Sequence, residues 1–168
     1  MTRAAIRASE AEDKPMPELN ITDLPDRGPL LGIDPGARSI GIAASDGLRL
    51  IASPVEIIPR GKKLRPTLNR LFELYDERNC VGMVVGLPLN LDGSAGSRVQ
   101  AAKALVYNLL QFRDVPLSYQ DERLSSAEAE RAMLAADMTR ARRAQTIDAS
   151  AAAIILQTSL DRLANTGN

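Results

Sequence analysis

Short apolar runs separated by turn residues begin at residue 30 of the chain. The runs at residues 30–33 and 40–43 flank the break Asp34–Gly36, and such a Pro-Gly break between two apolar runs predicts a β-hairpin. A third run, Leu48–Ile58, supplies another strand, and Pro54 within it predicts an edge strand or a broken one. The sheet is therefore expected to begin with antiparallel strands.

Helical and strand patterns alternate after this start. Apolar residues recur at helical spacing from Leu64 to Tyr75, whereas the continuous run Val81–Leu87 is typical of a strand buried on both faces. This alternation predicts an α/β fold, a mixed sheet with helices on both faces. The remaining predicted elements are a helix over 99–110, a strand over 115–119, a helix starting at a capping box at 125–128, and a last helix from about 147 to 163.

The first 28 residues mix charges with three prolines and show no sustained period, so we expect a mostly disordered N-terminal extension. It carries four basic and six acidic residues, 4 − 6 = −2, which leaves +2 on residues 29–168 of this neutral chain. The length fits a single domain over 29–168. No apolar run is long enough for a membrane span and no secretory signal is recognisable, which predicts a soluble, cytoplasmic protein without a membrane partner.

The composition restricts the chemistry. The chain has no histidine and one cysteine, Cys80, which excludes an internal disulfide, a Ser-His or Cys-His dyad, and a histidine-ligated or Cys-cluster zinc site. Cys80 lies between a helical pattern and an apolar strand, so we expect a buried, inert thiol. Any general base or metal ligand must come from Asp, Glu, Lys, Tyr or Cys.

Acidic residues stand at positions where the pattern calls for apolar or structural ones. Asp34 ends the first strand, Asp121 and Glu122 follow the strand that begins at Val115, and Asp148 lies in the predicted first turn of the last helix. Each has an ordinary alternative: a turn hydrogen bond, an ion pair with the neighbouring Arg123, or a favourable helix N-terminus. Three inward-facing acidic positions would nevertheless repel one another without a cation. Oxygen ligands alone favour Mg²⁺ or Mn²⁺ over zinc.

Carboxylate-held hard cations suit in-line displacement at a phosphodiester. Glycines at 32, 36 and 41 leave the backbone around Asp34 uncovered, which suits a bulky ligand. Ser94, Gly96 and Ser97 precede or start the second predicted helix, where backbone N–H groups favour anions. Basic residues that could follow a phosphate backbone, although each is more often simply solvated, are Lys62, Lys63, Arg98 and the cluster Arg140–Arg143. Few aromatic residues are present for base stacking.

Four blocks of the sequence, IDPGARSIGIA, VVGLPLNLDGS, DERLSSAEAE and IDASAAAIILQ, resemble in order and spacing the YqgF family, also called RuvX. The resemblance covers roughly residues 30 to 163. It implies a ribonuclease-H-like mixed sheet of five strands, the first three antiparallel, and catalytic metal ligands at Asp34, Asp121 or Glu122, and Asp148. The expected nucleic-acid contacts are Arg38, Asn90, Ser94, Ser97, Arg98, Arg123, Arg140, Arg142 and Arg143.

The resemblance implies a metal-dependent endonuclease, using Mg²⁺ or Mn²⁺, that matures the 5′ end of precursor 16S ribosomal RNA. Its expected partner is structured RNA or branched DNA, with the small-subunit precursor as a further candidate, and it would be a monomer or a weak homodimer. Two alternatives share the fold: a Holliday-junction resolvase, which usually must dimerise, and a non-catalytic RNA-binding factor. A sugar-kinase or actin-like ATPase would need a second such domain, for which the chain is too short.

Overall fold

The computed structural model describes residues 21–88, 96–121 and 140–166, the last helix as backbone alone up to residue 150. The predicted helix at the 125–128 capping box lies outside these residues. The described elements, in chain order, are a 3₁₀ turn Ile21–Asp23, β1 Leu30–Pro35, β2 Ser39–Ser45, β3 Ala52–Pro59, α1 Arg65–Glu77, β4 Gly82–Leu87, α2 Ser97–Phe112, β5 Leu117–Asp121 and α3 Arg140–Thr166.

The five strands form one sheet in the order β3-β2-β1-β4-β5. The first three strands are antiparallel, and β4 and β5 continue the sheet parallel to β1, as predicted. Pro54 lies on β3 at the sheet edge, and the β2–β3 register shifts between Ile42 and Ala43. Proline and an irregular register both hinder pairing of an edge strand with another chain. The apolar residues before β3 were expected in the strand but form an exposed turn instead: Leu48, Leu50 and Ile51.

The sheet buries an apolar core on each face, because successive strand residues point to opposite sides. Leu31 and Ile33 of β1 pack in the core that contains the apolar residues of α1 and α2, whereas Leu30 packs in a second core with Leu156 and Leu160 of α3. Helices therefore cover both faces, which confirms the predicted α/β architecture. No helix in the described part of the chain is long and apolar enough to cross a membrane.

Cys80 follows α1 and is buried, 8% exposed. Burial raises the pKa of its thiol to about 11, because the apolar surroundings disfavour the charged thiolate. The predicted burial is confirmed, and with so little thiolate near neutral pH the residue is a poor nucleophile.

Residues 21–28 correct the expected extent of the disordered extension. Ile21 and Leu24 are buried, 7% and 4% exposed, in the core beneath α3. The Arg49 side chain donates hydrogen bonds to the backbone carbonyls of Pro25 and Gly28, the latter at 2.8 Å. Two isolated apolar residues give no period in the sequence, so only the tertiary structure reveals that this segment packs on the domain. Residues 1–20 of the predicted extension lie outside the described residues.

Replacing Leu24 by Ala should therefore destabilise the protein. Truncation of a buried leucine leaves a cavity and typically costs about 2–4 kcal/mol of the free energy of unfolding. Urea denaturation measures the loss, with Leu48→Ala as the matched control because Leu48 is 80% exposed. Equal effects of the two substitutions would show that residues 21–28 are not part of the folded domain.

Candidate active site

Asp34 lies next to last in β1, half-buried, at the edge of the sheet where β1 reaches its carboxyl end. The parallel strands β4 and β5 end at the same edge, and the loop after β4 leads to α2. Ligands of open α/β sheets bind outside the carboxyl ends of the parallel strands. This edge is therefore the candidate active site.

The Asp34 side chain lies on the face of the sheet covered by α3. Its register partner on β2 is Gly41, and a Cβ added to Gly41 would lie 3.5 Å from the Asp34 Cβ and 3.9 Å from Oδ2. The same position is 3.6 Å from the Ala152 Cβ on α3. Asp34, Gly41 and Ala152 thus meet where the helix crosses the sheet, and the glycine leaves one side of the carboxylate uncrowded.

At the two other glycines of this region, the fold itself excludes a side chain. A Cβ on Gly32 would lie 2.8 Å from the Leu156 Cβ and 2.9 Å from the Ala152 carbonyl oxygen, so α3 already covers this position. A Cβ on Gly36 would lie 2.5 Å from the Ser39 carbonyl oxygen, which the tight hairpin does not permit. The prediction that all three glycines expose the backbone to a ligand is wrong for Gly32.

The turn that follows Asp34 is held from β3. The Gly36 N–H donates to the Ser39 carbonyl at 3.0 Å, which closes the hairpin. The Arg60 guanidinium donates to the Gly36 carbonyl at 2.8 Å, and the Arg60 N–H donates to the Arg38 carbonyl at 2.9 Å. Arg60 therefore fixes the turn that follows Asp34, and nothing in the local sequence indicates this role.

Asp121 is the last residue of β5 and pairs with Leu87 of β4. Tyr119 packs against the core on the α1 and α2 side, whereas the Gln120 carboxamide is hydrogen-bonded to Ser159 of α3. Strand alternation then places the Asp121 Cβ on the Tyr119 side, opposite to Asp34. Two strand spacings, roughly 10 Å, also separate β5 from β1. By strand alternation, these two residues therefore belong to opposite faces of the sheet.

A buried polar group lies between β5 and α3. The Ser159 hydroxyl, fully buried, and the Arg162 guanidinium each donate to the Gln120 Oε1 at 2.9 Å. The Gln120 Nε2 donates to the Asp121 carbonyl at 3.2 Å. Ser159 falls on the predicted sheet-facing side of the last helix, but its partner could not be read from the sequence. These bonds anchor the end of β5 to α3.

Asp148 lies in α3, and the helix begins earlier than predicted. It starts at Arg140, not near Ile147, because the Ala- and Arg-rich segment favours a helix without an apolar period. Asp148 is therefore not in the first turn, and its alternative role at a helix N-terminus is lost, since the dipole acts mainly within that turn. The helix α3 lies over Gly32 at Leu156 and over Gly41 at Ala152. Asp148 is one turn closer to the N-terminus of α3 than Ala152.

The remaining predicted site residues divide into three groups. Arg38 is exposed in the hairpin turn, and Ser97 and Arg98 are exposed in the first turn of α2, which begins at Ser97 with Gly96 as N-cap. The three arginines at 140, 142 and 143 lie in α3, described as backbone only. Those outside the described residues are Asn90, Ser94, Glu122 and Arg123.

The donor set of this edge fits a hard divalent cation better than a soft one. The sequence has no histidine, its one thiol is buried elsewhere, and Asp34 offers carboxylate oxygens. Among side chains that the structure describes, no three acidic or cysteine residues come close enough together to hold a metal ion. Glu122 and the Asp148 side chain, both predicted ligands, lie outside this description.

The sheet order, the hairpin acid and the helix crossing β1 and β2 define a ribonuclease-H-like domain of the resolvase type. Solved structures support this class at the level of fold. The *Thermus thermophilus* RuvC bound to a Holliday junction superposes with a TM-score of 0.55 at 14% identity, over 84% of this chain and 97% of that one. A second RuvC structure from the same organism gives 0.51 at 17% identity, over 83% and 96%.

The sequence comparison identifies the family. The family model described as "RuvX: Holliday junction resolvase" matches residues 28–162, and the chain belongs to this family. A protein of *Bradyrhizobium* sp. (strain BTAi1) named "Putative pre-16S rRNA nuclease" is 48% identical over 140 residues, 83% of this chain and 86% of its own. A protein of the same name from *Cereibacter sphaeroides* (strain KD131) is 48% identical over 143 residues, 85% and 89%. The predicted family is confirmed.

Replacing Gly32 by Ala should displace α3 and destabilise the domain. The added methyl group would clash with the Ala152 backbone and the Leu156 side chain, and overpacking of this kind costs about 1–3 kcal/mol. Urea denaturation measures the loss. Gly47→Ala is the control, because a Cβ there meets nothing within 4 Å, and its effect should stay within about 0.5 kcal/mol. A neutral Gly32→Ala would contradict the close helix–sheet contact.

Proposed function

We propose that this protein is a metal-dependent endonuclease that cleaves phosphodiester bonds in structured RNA, at the 5′ end of precursor 16S ribosomal RNA in the cytoplasm. The observation that carries the proposal is the half-buried Asp34 at the carboxyl edge of the parallel strands, beside Gly41 and beneath α3. A half-buried carboxylate at this position suits a cation, because partial burial strengthens the attraction between opposite charges. The names of the two curated relatives supply the substrate class.

The proposed metal ligands are Asp34, Glu122 and Asp148. Residues four apart share a helix face, so Asp148 belongs to the side of α3 on which Ala152 contacts Gly41. Between the two acids after β5, strand alternation favours Glu122, because Asp121 falls on the Tyr119 side. Asp121 would then act as a positioning residue at the end of β5. The sequence alone offered both acids, and the proposal chooses Glu122.

In the proposed site, acidic side chains would hold the metal ion and basic groups would bind the phosphate backbone. Bound Mg²⁺ or Mn²⁺ would supply activation of water and stabilisation of the leaving oxygen. The hydrogen bonds of Gly36 and Arg60 fix the backbone turn that follows Asp34, which would help to hold its carboxylate in place. The exposed first turn of α2, with Arg98 and its backbone N–H groups, follows the loop after β4 and would suit a phosphate. The substrate would bind across this edge.

Resolution of Holliday junctions is the second candidate. It is favoured by the description of the matching family and by the fold of the junction-bound RuvC. The two functions share chemistry and differ in substrate and symmetry, because a resolvase must cut two strands and usually acts as a dimer.

An end-labelled precursor 16S RNA fragment and a labelled four-way DNA junction, offered in parallel with Mg²⁺, Mn²⁺ or EDTA, separate these candidates. We expect metal-dependent cleavage of the RNA and at most slow cutting of the junction. Native mass at micromolar concentration gives the oligomeric state, and a strict monomer argues against the resolvase. Symmetric junction cleavage without RNA cleavage would reverse the assignment.

Asp34→Asn should reduce cleavage far more than nucleic-acid binding. A ligand that acts in the transition state typically contributes several kcal/mol to the barrier, roughly a hundredfold or more in rate. Ground-state affinity comes from the cationic residues and should persist, or increase when one negative charge is removed. The measurement is the single-turnover cleavage rate and the Kd of the same variant on the same RNA. Equal losses in both would show that Asp34 is structural and would favour a non-catalytic binding factor.

A further inference from the structure

Five basic residues surround the β3 side of the Asp34 hairpin. We name this set the basic rim; it comprises Arg38, Arg60, Lys62, Lys63 and Arg65. Its two segments, residues 35–40 and 58–66, contain no acidic residue. Arg38, Lys62, Lys63 and Arg65 are exposed, and Arg60 is half-buried.

The rim is one surface because its two segments are joined by the sheet. Ser39 at the start of β2 pairs with Pro59 at the end of β3, and the Arg60 N–H donates to the Arg38 carbonyl at 2.9 Å. Since β2 runs antiparallel to β1, this end of β2 and β3 coincides with the carboxyl end of β1. The rim therefore lies at the same sheet edge as Asp34.

The charge of the rim is not neutralised within the described part of the chain. The carboxylate on β3, Glu56, is held by Arg70 through two hydrogen bonds of 2.7 and 2.9 Å, which lowers the Glu56 pKa. The ion pairs between described residues involve Arg70 and Arg113, and none reaches the rim. The first turn of α1, which starts within the rim at Arg65, also has no acidic residue. Like charges are thus gathered where the helix dipole disfavours them.

We propose that the basic rim binds the phosphate backbone of the substrate on the β3 side of the active site. The inference rests on the proposed function. From β1 to β3 is two strand spacings, roughly 10 Å. The rim would thus contact phosphates beside the scissile one, on the β3 side, and not the scissile phosphate itself. Arg60 holds the hairpin, so Lys62 and Lys63 are the exposed contacts that a substitution can test.

The test compares two double variants with the same loss of charge. Lys62→Gln/Lys63→Gln removes two cations of the rim, and Arg27→Gln/Arg78→Gln removes two exposed cations at the opposite edge, before β1 and after α1. Affinity for an RNA duplex is measured in EDTA, so that no cleavage occurs, over a range of salt concentrations. The rim variant should lower the slope of log K against log salt by roughly 2, and the control variant by much less.

Thermal unfolding shows whether a change in RNA affinity comes from damage to the fold. Both variants should unfold within a few degrees of the wild type, and the rim variant is expected at or above it, because cations are removed from a helix N-terminus. Removing the duplex on the rim side of the cleavage site should abolish the difference between the rim variant and the wild type.

Each outcome decides one point. Equal slope changes in the two variants would show that the rim contributes only through the net charge of the protein. No slope change in the rim variant would show that Lys62 and Lys63 do not contact the RNA. Either result overturns the proposal. Cleavage is scored separately on the same preparations. Rim-dependent binding without any metal-dependent cleavage would leave the rim intact and overturn the proposed function. Metal-dependent cleavage together with an unchanged salt slope in the rim variant would support the proposed function and overturn the proposed role of the rim.

Discussion

The close contact between α3 and the paired strands β1 and β2 is the constraint on which the rest of the structure depends. It requires Gly32, where any side chain would meet the Leu156 side chain and the Ala152 carbonyl within 3 Å. Close approach lets α3 bury Leu30, Val84 and the short segment at Leu24 in one core. The same crossing brings Ala152 to Gly41, directly across from Asp34. One helix thereby stabilises the fold and carries an acid of the proposed site.

The site itself is arranged by charge. In the proposed site, acidic residues that would repel one another lie at the edge of the sheet and would gain stability when a cation joins them. Around that edge the described cations are exposed, at Arg38, Lys63 and Arg98, and they suit a polyanion. Arg60 connects the two sets, because it fixes the acid-bearing hairpin and begins the basic segment after β3. A metal-dependent nuclease needs this arrangement, with acidic residues at the centre for the metal ion and basic residues around them for the phosphate backbone.

The sheet could be predicted because its signals are local. Apolar runs, a Pro-Gly break and Pro54 gave the strand identities, the hairpin and the edge strand, and the family resemblance gave the five-stranded topology. The predicted boundaries were wrong at two places: Leu48 and Ile51 are apolar but form an exposed turn, and α3 begins at Arg140 in a segment without an apolar period.

The details of the site depended on tertiary contacts that no spacing reveals. Asp34 was identified as an apolar-strand anomaly, yet its neighbours Gly41 and Ala152 are 7 and 118 residues away in sequence. The role of Arg60 and the Gln120–Ser159 hydrogen bond are long-range in the same sense. The proposed preference for Glu122 over Asp121 likewise rests on the alternation of β5, which follows from the packing of Tyr119 and not from composition.

Calorimetric titration of the metal-free protein with Mn²⁺ tests the central claim, that Asp34 is a metal ligand, without reference to any substrate. Wild type should bind Mn²⁺, and Asp34→Asn should lose about tenfold or more in affinity while its metal-free form unfolds at the same temperature or higher. Asp114→Asn, at an exposed aspartate in the turn before β5, is the matched control and should bind as wild type. Equal Mn²⁺ affinity of Asp34→Asn and wild type would contradict the account.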